Sequence, residues 1–286
     1  MSSPSFSFPA PFDSFLGVGL GIDGHNLEPD WRALLKSDWP IDFYEVYTRG
    51  DVAFAHEFRK AAGGVPLLYH DDALDPILPE GLRDEELRLA RENLAATGAP
   101  WCVSELATRR LGERYLDFFL PILLSEEAAQ TAARNLRQLD EVLPGRIVPE
   151  NPPYQLPVGP LHILELMARV TELADVPCVL DLGHLLSFQI CRKLEPLAGL
   201  DDFPLERIVE LHVAGAVIDE RRGPPIYQDA HGASEIPPLL YEMLSEVAPR
   251  CPNLVAVTIE VEDATQERVE RQLLETRKAL GTLLPD

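Results

Sequence analysis

PCVLDLGH, residues 177–184, is a short run that is apolar almost throughout and ends on a carboxylate and an imidazole, Asp181 and His184. Near-continuous apolar character at strand length suits a parallel strand buried on both faces. In an extended chain residues three apart point to opposite faces, so His184 falls in the turn if both are to serve one site. The same design recurs along the chain. RIVELHVAG (207–215) carries His212, LVAVTIEV (254–261) carries Glu260 and RIVPEN (146–151) carries Glu150. WCVSELA (101–107), VPLLYH (65–70), IDFYEVYT (41–48) and FLGVGLGI (15–22) complete eight such runs. Segments of helical period separate them, at 51–63, 85–98, 126–143, 161–174 and, as a closing helix, 267–284. Eight alternations at this length predict an α/β protein, a single-domain (β/α)8 TIM-type barrel over residues 15–286, with 1–14 as an N-terminal extension. Ser125 before Glu126 and Glu127, and Ser234 before Glu235 and two prolines, read as helix starts. The proline-rich stretches 149–160 and 221–227 follow strands and read as loops over the barrel mouth.

Charge narrows the partners. With 25 basic and 47 acidic residues the net charge is −22, which argues against nucleic acid, whose binding rests on Lys and Arg neutralising phosphate. The acidity suits a cationic partner or peptide, or solubility alone. The cysteines Cys102, Cys178, Cys191 and Cys251 show no CxxC spacing and read as reduced thiols. The N-terminus lacks the basic and apolar regions of a signal peptide, and no apolar run has the length of a membrane span. A cytoplasmic protein is expected.

Imidazole and carboxylate hold zinc, manganese and non-haem iron, and strand C-termini converge at one mouth of a barrel. Glu150, closing its run before Asn151-Pro152-Pro153, reads as a metal ligand, or as the partner of an arginine from a neighbouring loop, because a buried carboxylate needs a partner. Glu210 and His212 share a strand face, with Glu210 deeper and a structural partner. Asp229 and His231 lie in a loop and serve either as ligands or as a solvated turn. Glu260 lies deeper than Glu262. His25 follows GVGLGIDG, which lacks the GxGxxG spacing of a dinucleotide fingerprint. His70 ends VPLLYH, while His56 and His162 fall in helical stretches without a role. Five of the seven histidines thus stand at strand ends or in the loops that follow.

In this order the series resembles the multinuclear non-haem iron-dependent oxidases, among them the iron enzyme of methanobactin biosynthesis and the enzyme that excises a cysteine carbon in thiaglutamate biosynthesis. The matching pieces are GVGL with His25, Glu45 in FYEVY, His70, Glu150-Asn151, Asp181 with His184, ELHVAG with His212, Asp229-Ala230-His231-Gly232, and Glu260 in TIE. The resemblance implies a barrel holding an iron cluster on His70, Glu150, Asp181, His184, His212, Asp229, His231 and Glu260. His25 would lie near the same mouth as outer support or substrate contact. One departure stands out. Where the family reads Ser, an acid, His, Leu at strand four, this chain has Ser104-Glu105-Leu106-Ala107. One metal position therefore loses a ligand unless Glu105 substitutes, and two irons are expected before three.

The resemblance further implies oxidation, by dioxygen, of a residue of a ribosomally made peptide, commonly cysteine, with a separate leader-peptide-binding partner protein in some members. Two other classes compete. One is a divalent-metal hydrolase or isomerase of the sugar-isomerase or abasic-endonuclease type. The other is a degenerate, non-catalytic peptide-binding subunit, suggested by the missing strand-four histidine.

Overall fold

The computed structural model describes residues 15–284 apart from 117, 154, 155 and 222. The expected N-terminal extension, 1–14, lies outside the described residues. Eight parallel strands run in chain order: β1 (Gly17–Asp23), β2 (Phe43–Tyr47), β3 (Leu67–His70), β4 (Trp101–Glu105), β5 (Arg146–Glu150), β6 (Cys178–Asp181), β7 (Ile208–Ala214) and β8 (Ala256–Glu260). They close into a barrel, β1 pairing with β2 on one side and with β8 on the other. A helix follows each strand: α1 (Trp31–Leu34), α2 (Val52–Ala62), α3 (Asp84–Thr97), α4 (Glu126–Val142), α5 (Ile163–Ala174), α6 (Leu182–Arg192), α7 (Pro238–Val247) and α8 (Gln266–Leu280). The (β/α)8 expectation is met.

Local chemistry sets the helix boundaries. Asp51, Ser125, Asp181 and Thr265 accept backbone N–H groups at the starts of α2, α4, α6 and α8, satisfying donors that the first turn leaves without partners. His162, assigned no role from sequence, caps α5 in a capping box with Glu165. Ser234 does not cap α7. That helix begins four residues later at Pro238, whose missing N–H costs nothing at a first turn.

Two apolar layers form. The larger lies between strands and helices and includes Leu20, Ile22, Phe58, Leu136, Met167 and Leu244. The smaller, with Phe43, Leu68, Trp101, Val103, Val148 and Val179, is built almost wholly from strand residues and fills the barrel. The glycines of GVGLG acquire a reason here. A Cβ at Gly19 would overlap the Phe43 ring, and one at Gly21 would press on Tyr47 at 3.1 Å. The strand gives up its inward side chains to make room for two rings.

Two hairpins rise from the mouth, Arg110–Leu111 with Arg114–Tyr115 and Ala216–Asp219 with Ile226–Asp229. The register between β5 and β6 consists of a single pair, Glu150 with Val179. No helix among the described residues is long and apolar enough to cross a membrane.

Candidate metal centre

Strand alternation carries the apolar filling upward into chemistry. Two residues beyond Phe43, Leu68, Val103, Val148 and Val179 stand Glu45, His70, Glu105, Glu150 and Asp181. β7 adds His212 above Glu210, and β8 adds Glu260 above Thr258. Glu150 is the hub. Its carboxylate lies 3.0 Å from His70 Nε2 and 3.4 Å from Nδ1 of both His184 and His212. Glu260 approaches His212 Nδ1 at 3.6 Å and His231 Nε2 at 3.5 Å. Asp229 Oδ2 sits 3.1 Å from Nε2 of both His184 and His231. Glu105 reaches within 3.9 Å of His70.

Two histidines have one ring nitrogen hydrogen-bonded from outside the cluster, and a third, His212, has charged neighbours there. His212 Nε2 faces Glu45 at 3.2 Å and Glu210 at 3.4 Å. His231 Nδ1 faces Glu262 at 2.9 Å, and His184 Nδ1 faces the Asn151 carbonyl at 2.8 Å. Such partners fix the tautomer and orientation of a ligating imidazole. Asn151 does more. Its side chain accepts from Asp181 N and donates to Asp181 O, both at 2.9 Å. This clasp fixes β6 where the backbone ladder is thin.

Opposing charges dominate the electrostatics. Burial opposes ionisation of Glu150, but His212, His184 and His70 outweigh it and hold its carboxyl well below the usual range. Glu260 is held down to about 2, with His231 and His212 overcoming burial. Burial, with Glu260 and Glu150 nearby, lifts Asp181 to about 7, and burial with Glu210 lifts Glu45 to about 7. Burial works against protonating His70, yet Glu105, Glu150 and Glu45 raise it to about 10. Against the same opposition, Asp181, Asp229 and Glu45 help drive His184, His231 and His212 well above the imidazole range.

The arrangement fits a cation. Glu150 Oε1, Asp181 Oδ2, Asp229 Oδ1, Glu260 Oε2 and His212 Nδ1 are all buried without hydrogen-bond partners among the described residues. Leaving such groups without partners is costly. His70, Glu150, His212 and Glu260 each present a donor atom within 4.8 Å of the others, as do Glu150, Asp181 and His184. Glu45, Glu210 and His212 satisfy the same criterion. Trp101 Nε1 and Thr258 Oγ1 already donate to the two Glu210 oxygens at 3.0 and 2.6 Å, so of this trio Glu210 is the member whose oxygens are already engaged. Above the cluster opens a cavity of about 880 Å³. Arg109, Phe119, Pro121 and Pro152 form part of one wall, and Asp23, Arg49 and Glu262 part of the rest.

The model of the RiPP precursor modification enzyme MbnB/TglH/ChrH matches residues 17–281. The chain belongs to that family. Its curated relatives include the UPF0276 protein of Shewanella loihica, 30% identical over 227 residues covering 78% of this chain and 79% of the relative. A UPF0276 protein of Acinetobacter baylyi is 26% identical over 229 residues, covering 77% and 75%. Among solved structures, endonuclease IV from Thermus thermophilus superposes with a TM-score of 0.58 at 16% identity, over 93% of this chain and 99% of that one. D-psicose 3-epimerase does so at 0.56 and 12%, over 92% and 97%. At such identities these structures share the fold alone.

The eight residues expected to hold metal in this member of the family come together at one mouth. Asp181 closes β6, and His184 lies in the first turn of α6, which starts without an intervening loop. His25 stands apart. Its side chain is 43% exposed, its ring lies against Asp23 and Phe54, and it is not among the residues lining the cavity. At strand four Leu106, where the resemblance leads to the expectation of a histidine, packs into the outer apolar layer, while Glu105 faces inward. Three contributors were not singled out as site residues from sequence. Glu45 and Glu262 back His212 and His231. Tyr47 stacks its ring on His70 at 4.4 Å and donates its hydroxyl to Glu260 Oε1 at 2.7 Å. The period-two pattern of FYEVY held the signal for Glu45 and Tyr47, since both share the inward face with Phe43.

Proposed function

We propose that this member of the RiPP precursor modification family is an iron- and dioxygen-dependent oxidase that acts on a residue, cysteine by preference, of a ribosomally made peptide. The observation that carries the reading is the ring of buried, unpartnered carboxylate and imidazole atoms around Glu150. Two irons would be held, one by His70, Glu150, His212 and Glu260, the other by His184, Asp229 and His231, with Asp181 alongside. Bound there, the metal would supply redox chemistry toward dioxygen and an acceptor for soft sulfur. The donor set is nitrogen and oxygen only, so a substrate thiolate would bring a ligand the protein does not provide. The resemblance of the motif series to the iron-dependent oxidases supports iron over zinc or manganese.

The protein's own residues would act around that centre. Burial raises the Glu105 carboxyl above the ordinary range, and its Oε2, 3.9 Å from His70, would exchange a proton with the substrate. Phe119, Pro121 and Pro152 would exclude water from one side of the cavity. Exposed Leu111, Tyr115, Phe118, Leu123 and Leu156 on the loops after β4 and β5 offer an apolar rim for a peptide. His25, at the edge of the mouth, would meet only the outer part of a bound peptide.

Metal analysis of protein purified without oxygen from iron-supplemented cells, followed by oxygen uptake with co-encoded peptides, tests the proposal. Two irons per chain with peptide-dependent uptake is the expected result. Zinc or manganese with oxygen-independent turnover would favour a hydrolase or isomerase. A chain that takes no metal would be a peptide-binding subunit.

A further inference from the structure

Tyr227 projects from the 216–229 hairpin toward the cluster. It is 2% exposed and lines the cavity, and its hydroxyl has no hydrogen-bond partner among the described residues. Tyr47 makes a useful contrast. Also a phenol in this cavity, it is tied to Glu260 and stacked on His70. Tyr227 faces Asp229, Asp181 and Glu260, each of which also has one buried oxygen without a partner.

A cation would satisfy these acceptors. It would not satisfy the Tyr227 O–H, which is the donor in the group and requires a lone pair. A metal together with an anionic ligand satisfies both. Room for the hydroxyl is also provided at a definite position. Gly183, in the first turn of α6, lies so close that a Cβ there would overlap the Tyr227 oxygen. Its φ is not positive, so an added methyl here would act on the position of the hydroxyl and not on the backbone conformation.

We propose that the Tyr227 hydroxyl donates a hydrogen bond to an anionic atom, a thiolate in the first instance, that a bound substrate brings to the metal centre, with Gly183 keeping its place open. The inference rests on the metal-centre reading above and adds the group that recognises the substrate's charged atom. Tyr227 thereby selects for a ligand that arrives as an anion, and holds that atom on the side of the cluster formed by Asp181 and Asp229.

The test titrates full-length, iron-loaded protein with azide and with N-acetylcysteine amide, following binding by the change in absorption and metal content by elemental analysis. Tyr227→Phe is expected to keep its metal and to weaken one or both probes by about ten- to a hundredfold, the worth of a hydrogen bond to a charged acceptor. Gly183→Ala, which displaces the hydroxyl, is expected to do the same, whereas Tyr241→Phe on α7 is expected to change neither. Loss of the azide effect with retention of the thiol effect assigns the contact to the substrate atom, and weakening of both assigns it to any anion at the centre. Unchanged affinities at full metal content overturn the inference, as does a Tyr227→Phe protein that loses its metal, since the hydroxyl would then serve the ligands. Wild-type protein that holds none of iron, zinc or cobalt removes the metal reading and this inference together.

Discussion

Glu45→Gln isolates the support behind one ligand without changing the ligand. Glu45 is wholly buried, 3.2 Å from His212 Nε2, on the side of that ring away from Glu150 and Glu260. Glutamine keeps its volume but supplies a neutral acceptor, so the imidazole becomes less basic and less firmly oriented. Losing such an outer partner typically costs about ten- to a hundredfold in metal affinity. The lower end is expected here. Glu210, 3.4 Å from the same nitrogen and fixed by Trp101 and Thr258, remains as a second acceptor. The predicted loss is about tenfold, or about 1.4 kcal/mol, rising toward a hundredfold in Glu45→Gln/Glu210→Gln. Competition against a chromophoric chelator measures it, with circular dichroism checking the fold. Unchanged affinity in the double variant would refute the role given to both carboxylates.

Three further outcomes are expected. Metal uptake releases protons: in protein stripped of metal His70 holds its proton to about pH 10, so a ligating metal displaces it, and apparent affinity climbs with pH by up to about tenfold per unit for each proton displaced. Calorimetry in two buffers of different ionisation enthalpy counts those protons, and a count of zero contradicts the assignment. Gly19→Ala forces a methyl into the Phe43 ring and is expected to cost about 1–3 kcal/mol in denaturant unfolding. Adding Phe43→Leu should recover part of that, and strictly additive losses would count against the overlap. A thiol reagent applied to native protein is expected to modify Cys191 first, because Cys102, Cys178 and Cys251 are buried and burial raises the Cys251 thiol to about 12. Equal rates at all four would mean a looser barrel.

The barrel and the convergence of these acids and imidazoles at one mouth were legible because both follow from strand periodicity. An apolar run ending on an acid or imidazole delivers that side chain to the strand's C-terminal end, as Glu150, Asp181 and Glu260 show. Glu45 and Tyr47 were harder to read, since FYEVY looks the same whether its polar residue faces an ion or an arginine. The hydrogen bond from Tyr47 to Glu260 spans 213 residues, a separation no local pattern encodes. For His25, a position just past a strand places the residue near the mouth without saying which way it turns. Ser234 carried a helix-start signature that lost to the backbone restriction imposed by Pro237 and Pro238.

The clasp made by Asn151 has a mechanical consequence. Every other seam of the cylinder is stitched by at least two rungs of backbone pairing, whereas β5 and β6 share one and borrow a side-chain amide for the rest. A side chain can rotate away and return where a ladder would have to unzip. The seam between the strands that carry Glu150 and Asp181 is therefore the one whose pairing leans on a side chain. Backbone amides along that seam are expected to exchange with solvent before those of the fully laddered seams, which hydrogen-exchange measurement checks.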